Sequence, residues 1–346
     1  MEAKVSPDTA RAKAELLAGG AVRIPKDFRL PFSPSRSTAG PGAGLAEIVF
    51  SFGGTRAKKA ISRTEGEFEL ICASGGFEIT RGDDVIADGV ELQPTLLHAP
   101  FQAFINVDSR CTLSCAFCNS HRLEHDLTKN LTDDKILAMI TEAASADGFQ
   151  GVALTSGVPG SENETIDRIV GLIGRIRAAL PSAAIGVEPY VTHPRQVDAI
   201  KAAGATEIKI NIESFDQEIF DRVCPGRDYD AILHAVNHAC EVFGRNRVCS
   251  NIIFGLGETD DSVLYGTKVL ANMGAVATLR ALRVNKRNAS ALEEALGTLK
   301  PVTADRVLTL ARGQKAILEE YGLTPLEFKT MCHACMSCDI VPFWDV

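Results

Sequence analysis

The sequence predicts an α/β fold: a partial (β/α)6 barrel of the TIM type, with a small β-rich N-terminal extension and a cysteine-rich C-terminal tail. Three observations predict it. From about residue 101, short apolar runs alternate with amphipathic helical patterns, the rhythm of a parallel sheet with crossover helices. The six βα units suit a partial barrel better than a closed eight-stranded one. Residues 45–100 instead alternate apolar and polar side chains between turn pairs, as half-buried strands do. The 346 residues suffice for one large core with a smaller attached unit. The expected division is 1–100 for the extension, 101–300 for the barrel and 301–346 for a final helix and the tail.

Along the chain, RLPFSPSRSTAGPGAG (29–44) reads as a linker or irregular loop. GEFELICASGGFEITRGDDVIADGVEL follows as strands broken at Gly75-Gly76 and Gly82-Asp83, a lid or docking surface. Barrel strands are expected at Phe101–Val107, Gly151–Leu154, Ala184–Val187, Glu207–Ile212, Val248–Phe254 and Ala277–Val284. Ile166, Ile169, Val170, Ile173, Ile176 and Leu180 share one helical face, which Pro181 ends. Thr132 is the expected N-cap of a helix from Asp133, and Thr192 of one entered by Pro194. A last helix spans about Thr303–Tyr321. Ligands of such a barrel gather at the C-terminal ends of its strands.

Charge narrows the function. The 36 basic against 44 acidic residues leave −8, which argues against a broad nucleic-acid surface. No apolar run approaches the ~20 residues of a membrane span. MEAKVSPDTARAKAELLAGG has no apolar signal core, so a cytoplasmic protein without membrane partners is expected. The ten cysteines carry the information. Six fall in two groups, Cys111/Cys115/Cys118 and Cys332/Cys335/Cys338, while Cys72, Cys224, Cys240 and Cys249 are scattered. Disulfide frameworks belong to small secreted chains, so clustered cysteines here point to metal ligands or redox chemistry.

CTLSCAFC (111–118) directly follows the first barrel strand. A loop this short can turn its three thiolates toward one small cluster. A 4Fe–4S cube normally takes four cysteines, so three leave one iron open. A zinc site lacking its fourth ligand and an accidental clustering are the alternatives. The CxxxCxxC spacing, with Phe117 before the last cysteine, resembles the radical S-adenosylmethionine (radical SAM) superfamily. The resemblance implies that the open iron chelates S-adenosylmethionine, that Phe117 lies against adenine, and that one electron releases a 5′-deoxyadenosyl radical. Here the cofactor does the hard chemistry while the protein positions it.

The resemblance extends over about residues 101–290. Thr155-Ser156-Gly157 stands where the family has Gly-Gly-Glu; the glutamate is absent, so a backbone carbonyl would serve the cofactor's amino group. Glu188 in GVEPY is placed to meet cofactor or substrate. NIESFD resembles the pattern of lipoyl and biotin synthases, implying that Asn211 and Glu213 bind the ribose hydroxyls and the methionyl end. In VCPGRDY, Arg227 sits where that branch has a carboxylate-binding arginine. IIFGLGET resembles the fifth-strand motif, implying adenine contacts from the backbone at Gly255 and Leu256.

CHACMSCD (332–339) has the spacing of a ferredoxin loop without its trailing Cys-Pro. A second iron–sulfur cluster, a zinc site and unliganded thiols compete as readings. Cys224, Cys240 or Cys249 could supply a fourth ligand; His333 is not expected to. Lipoyl synthase instead carries its second set of cysteines before the barrel, and biotin synthase inside it. Arg280 and Arg283, three apart on a predicted strand, should face opposite ways. His121/His125 and His234/His238 read as surface pairs, Asp108, Ser109 and Arg110 as shaping the cluster loop, and Cys72 as a buried small hydrophobe.

The expected function is radical SAM chemistry at an unactivated C–H bond, with no catalytic side chain assigned. Sulfur insertion of the lipoyl or biotin synthase kind is its most specific form. The substrate would be a small molecule or an octanoyl group on a carrier protein. Reduced ferredoxin or flavodoxin would donate electrons, and a second radical SAM protein would share the work. A methylation or ring-building step in cofactor assembly, with the second cluster as electron relay, is the rival enzyme reading. A non-catalytic electron carrier or redox sensor is the third.

Overall fold

The computed structural model describes residues 3–37, 39–73, 76–124 and 131–346, leaving Gly75 and His125 outside the described residues. The strands are β1 Val22–Arg23, β2 Ser35–Arg36, β3 Ala46–Phe52, β4 Thr55–Ser62, β5 Phe68–Ala73, β6 Gly76–Arg81, β7 Asp84–Gln93, β8 Gln102–Asn106, β9 Gly151–Thr155, β10 Ala184–Glu188, β11 Glu207–Lys209, β12 Val248–Phe254 and β13 Val276–Ala281. The helices are α1 Pro7–Ala18, α2 Asp133–Ala144, α3 Glu162–Ala179, α4 Pro194–Ala202, α5 Gln217–Val223, α6 Tyr229–Phe243, α7 Asp260–Met273, α8 Ala289–Leu296, α9 Ala304–Glu320 and α10 Met331–Cys335.

Strands β8 to β13 form the expected parallel sheet, each paired with its neighbour in sequence. Their buried runs of Val, Ile and Leu suit a sheet covered on both faces. Ile169, Leu172, Ile173 and Ile176 of α3 are fully buried, and Ser161 and Glu164 form a capping box at its start. Thr132 caps α2 as expected. At α4 the cap is His193, not Thr192: Gln196 Oε1 accepts from the N–H groups of both residues, at 3.1 Å from Thr192 and 3.0 Å from His193.

The extension is more than a few strands. β3 pairs with β4 and with β7, and β4, β1, β5, β6 and β7 follow in order, so this sheet closes on itself. Ile48, Phe50, Phe68, Leu70 and Ile79 fill its interior. Helix α1 fastens this ring to the barrel, since Ala12 and Leu16 pack in the ring's core while Ala10 and Ala14 pack in the barrel's. Cys72 is exposed on β5, against expectation: it shares the strand face of the buried Phe68 and Leu70 but stands one residue before the strand's end, where that face is no longer covered.

The tail enters the barrel between α9 and the ring. Gln102 Nε2 donates to the Met331 carbonyl at 3.0 Å, and Glu207 accepts the N–H groups of Lys329 and Thr330 at 2.8 and 2.9 Å. Lys13, from α1, forms a fully buried ion pair with Asp345 at 2.7 Å, and Thr55 Oγ1 donates to the same carboxylate at 2.6 Å. No helix among the described residues is long and apolar enough to cross a membrane.

Candidate active site

A cavity of about 740 Å³ occupies the middle of the barrel. All six clustered cysteines line it: Cys111, Cys115 and Cys118 on the loop after β8, and Cys332, Cys335 and Cys338 on the tail. The cluster loop is zipped to the loop after β9. Val107 N–H donates to the Thr155 carbonyl at 2.8 Å, Gly157 N–H to Asp108 at 2.8 Å and Thr112 N–H to Val158 at 2.8 Å. Asp108 accepts from the Arg110 backbone and guanidinium at 2.9 and 2.6 Å, which supports its reading as a shaping residue. Ser109 is buried beside it. Phe117 is buried on the wall, its carbonyl held by Asn288 Nδ2 at 3.0 Å.

The thiols differ in their surroundings. Burial pushes Cys118 up to about 11. A hydrogen bond with Cys224 lowers Cys115 to about 7. Cys224 therefore belongs beside the first group rather than the tail. Cys240 is buried in α6, with Arg245 and Glu241 as its charged neighbours. The buried Cys249, on β12, feels the charges of Lys209 and Cys332.

Side chains from the strand ends complete the wall. Thr155, Ser156, Gly157, Glu188, Asn211, Glu213 and Arg227 all reach it. Glu188 Oε1 accepts from Asn211 Nδ2 at 2.7 Å and from Lys209 Nζ at 3.2 Å. Arg227 donates to the Asn211 carbonyl at 2.5 Å and pairs with Glu213 at 3.4 Å, its guanidinium over the Tyr190 ring. Glu213 sits in the left-handed region at φ 67°, a conformation that a packed surrounding must hold in place. Burial raises its carboxyl above the ordinary range. Glu213 Oε2, Arg227 Nε and Asn251 Oδ1 are buried there without a hydrogen-bond partner among the described residues. Gly255 and Leu256 are not among the lining residues: their N–H groups bind the Glu258 carboxylate at 2.7 and 2.8 Å, and Ile253 reaches the cavity instead.

Arg280 and Arg283 both line the cavity, although strand alternation would separate them. The strand ends at Ala281, which frees Arg283 from the alternation. Arg283 pairs with Glu47 at 2.8 Å, and Lys58 lies 3.6 Å from that carboxylate and 2.7 Å from the His98 carbonyl it donates to. These three ring and linker residues line the cavity together with residues 33–37 and 39–42. The stretch read as a linker is thus a wall. Lys209 and Asn251 were also missed, although Lys209 stands two residues from the polar Glu207 and Asn211. Glu47, Lys58 and His98 had no such signal.

The other histidines among the described residues do not line the cavity. His333 is buried, with Nε2 3.2 Å from Thr278 Oγ1. His234 is exposed and His238 pairs with Asp198 at 2.8 Å, in line with a surface pair. His121 is half-buried.

Comparison with known proteins places this geometry. The Radical SAM superfamily model matches residues 105–265. A biotin synthase of Geobacter sulfurreducens is 35% identical over 166 residues, 46% of this chain and 48% of that protein. A GTP 3',8-cyclase of Listeria monocytogenes is 26% identical over 165 residues, 46% of this chain and 47% of that protein. The chain therefore spans about half the length of the curated relatives it matches. Among solved structures, methylornithine synthase (PylB) superposes with a TM-score of 0.51 at 19% identity, over 64% of this chain and 69% of that one. The FeFe-hydrogenase maturase HydG from Carboxydothermus hydrogenoformans does so at 0.52 and 17%, over 64% and 52%. These two likenesses concern the fold.

Proposed function

Residues 105–265 are a radical SAM domain, and on that premise we propose that the protein reductively cleaves S-adenosylmethionine to activate a substrate C–H bond. One observation carries the reading: Cys111, Cys115 and Cys118 face the same cavity as the polar strand ends. The residues fit the groups that the family implies. Among the described residues no three His, Cys, Asp or Glu side chains meet closely enough for a single metal ion. A 4Fe–4S cube asks something different, one thiolate for each iron it shares with the protein. The unpartnered Glu213 Oε2, Arg227 Nε and Asn251 Oδ1 offer acceptors and a donor to a polar, zwitterionic cofactor.

When bound, the cluster supplies the electron that splits the cofactor and releases a 5′-deoxyadenosyl radical. The chain's own residues hold and enclose. Cys111, Cys115 and Cys118 would ligate the cube, and Phe117 would lie against adenine. Asn211 and Glu213 would hold the ribose hydroxyls and methionyl end. Arg227, fixed by Glu213 and the Asn211 carbonyl, would take the carboxylate, since a guanidinium matches two oxygens at once. Thr155, Ser156 and Gly157 would present carbonyls to the amino group. Glu188, braced by Lys209 and Asn211, would set a fixed negative charge on the wall of the cavity.

Cys332, Cys335 and Cys338, which line the same cavity, would hold a second iron–sulfur cluster. Of the scattered cysteines, Cys249 feels the charge of Cys332, although it does not line the cavity. Two clusters flanking one space support sulfur insertion into the activated carbon, on a small molecule or a carrier-bound acyl chain. Reduced ferredoxin or flavodoxin would supply electrons, and a second radical SAM protein could share the task. The likeness to a GTP 3',8-cyclase supports the second reading, a ring-building or other carbon-skeleton step with the tail cluster as relay.

Anaerobic reconstitution tests the proposal by counting iron and sulfide and assaying 5′-deoxyadenosine. About eight irons in the wild type, falling to about four when the tail cysteines become Ala, is the expected result. Changing Cys111, Cys115 and Cys118 should abolish deoxyadenosine. Its continued formation would sink the radical SAM reading, and sulfide unchanged after turnover would favour the relay over sulfur insertion.

A further inference from the structure

The tail cysteines meet buried cations that belong to the barrel. Arg280 Nη2 lies 2.6 Å from Cys332 Sγ, and Lys209 Nζ lies 3.3 Å from the same sulfur. Both cations are held from behind by carboxylates, Arg280 by Asp339 at 3.7 Å and Lys209 by Glu188 at 3.2 Å. Lys209 and Asp339 are buried almost completely. Arg280 also reaches Cys338, while Arg283 and Lys58 feel the charges of Cys338 and Cys335. The loop after β8 meets fewer cations, with Arg227 reaching Cys115. Cys111 and Cys118 each accept a neutral backbone N–H, from Val158 and Ser120, both at 3.4 Å. Arg122 there donates to the Cys115 and Cys118 carbonyls rather than to sulfur.

Net charge and hydrogen bonds at the sulfurs are what a protein uses to set a cluster's potential. Each electron added makes a thiolate-bound cluster more negative. A cation fixed in a dry site favours that more negative state, because little solvent screens the attraction. We propose that Arg280, with Lys209, is the electrostatic positioning pair of the tail site. The pair raises the reduction potential of the group bound there, so that this group accepts an electron more readily than it would on the cysteines alone. This rests on the reading that the tail holds an iron–sulfur cluster. Lys209 further links the two halves of the cavity, since its carboxylate partner Glu188 also accepts from Asn211.

The test uses the anaerobically reconstituted full chain, titrated with reductant and followed by electron paramagnetic resonance. Arg280→Gln should move the tail signal to lower potential while iron stays near the wild-type count and the signal of the first cluster keeps its midpoint. Arg280→Lys should recover most of the shift. Unchanged tail midpoints with full iron would overturn the proposal alone. If Arg280→Gln fails to assemble the tail group, Lys209→Met decides: a lowered midpoint supports the pair and an unmoved one overturns it. About four irons in the wild type would overturn the parent reading, and this proposal with it.

Discussion

Thr330 presses so closely on Gly186 that a Cβ placed on the glycine would lie 2.0 Å from Thr330 Oγ1 and 2.9 Å from Thr330 Cβ. This contact between a barrel strand and the tail explains why β10 carries a glycine at that position. The threonine is itself held by Glu207, at 2.9 Å from its N–H. The residue after next in the tail is Cys332, so the contact also sets how far the tail cysteines enter the cavity.

Gly186→Ala should therefore push the tail outward. The expected outcome is faster amide exchange and proteolysis confined to residues 331–346, with the barrel core unchanged. Gly186→Ala combined with Thr330→Gly should restore protection, because the added methyl then has room. Equal protection in Gly186→Ala and the wild type would refute the steric argument.

The Lys13–Asp345 pair is the second fastening of the tail. With both side chains fully buried, removing one partner strands a charge away from water, which typically costs about 3–5 kcal/mol. Lys13→Met should lower the denaturation midpoint strongly. The double change Lys13→Met with Asp345→Leu should recover much of the loss, since an apolar pair no longer needs solvation. Thr55, which donates to Asp345, limits that recovery. The readout is the denaturant midpoint of the three variants beside the wild type.

His98 gives a pH signature. Burial, with Lys58 beside it, lowers its pKa from 6.5 to about 3. The folded protein thus keeps a neutral imidazole while the unfolded chain takes up a proton. Stability from this group is complete above about pH 6.5 and declines as pH falls toward 3, by about 1.4 kcal/mol per pH unit where only the unfolded chain is protonated. His98→Phe should flatten that decline between pH 6.5 and 4.5, a window above most carboxylate titrations. Parallel pH profiles for variant and wild type would contradict the assignment.

Much of the fold was legible because parallel strands and their helices follow from local patterns. Val248–Phe254 matches β12 residue for residue, and Pro181 does end the face that begins near Ile166. Departures came where a strand stops. Arg283 reaches the cavity because β13 ends two residues before it, and alternation cannot foretell where a strand ends. Thr192 lost the cap to His193 because Gln196 binds both backbone N–H groups. Cys72 is exposed although it shares a strand face with the buried Phe68 and Leu70, because periodicity shows which residues share a face, not how far along the strand that face stays covered.

By itself, the sequence determined the order of elements, the two cysteine groups and the polar residues at the strand ends, since each rests on short-range spacing. Only the tertiary structure decided that both groups face one cavity. It also closed the extension into a ring that supplies Glu47, Lys58 and the neighbouring wall, and it set Arg280 and Lys209 against Cys332. Those juxtapositions join residues from 52 to 236 positions apart. They arise because burying α1, the ring and the tail against the barrel leaves one arrangement in which the apolar faces are covered and the buried charges are paired.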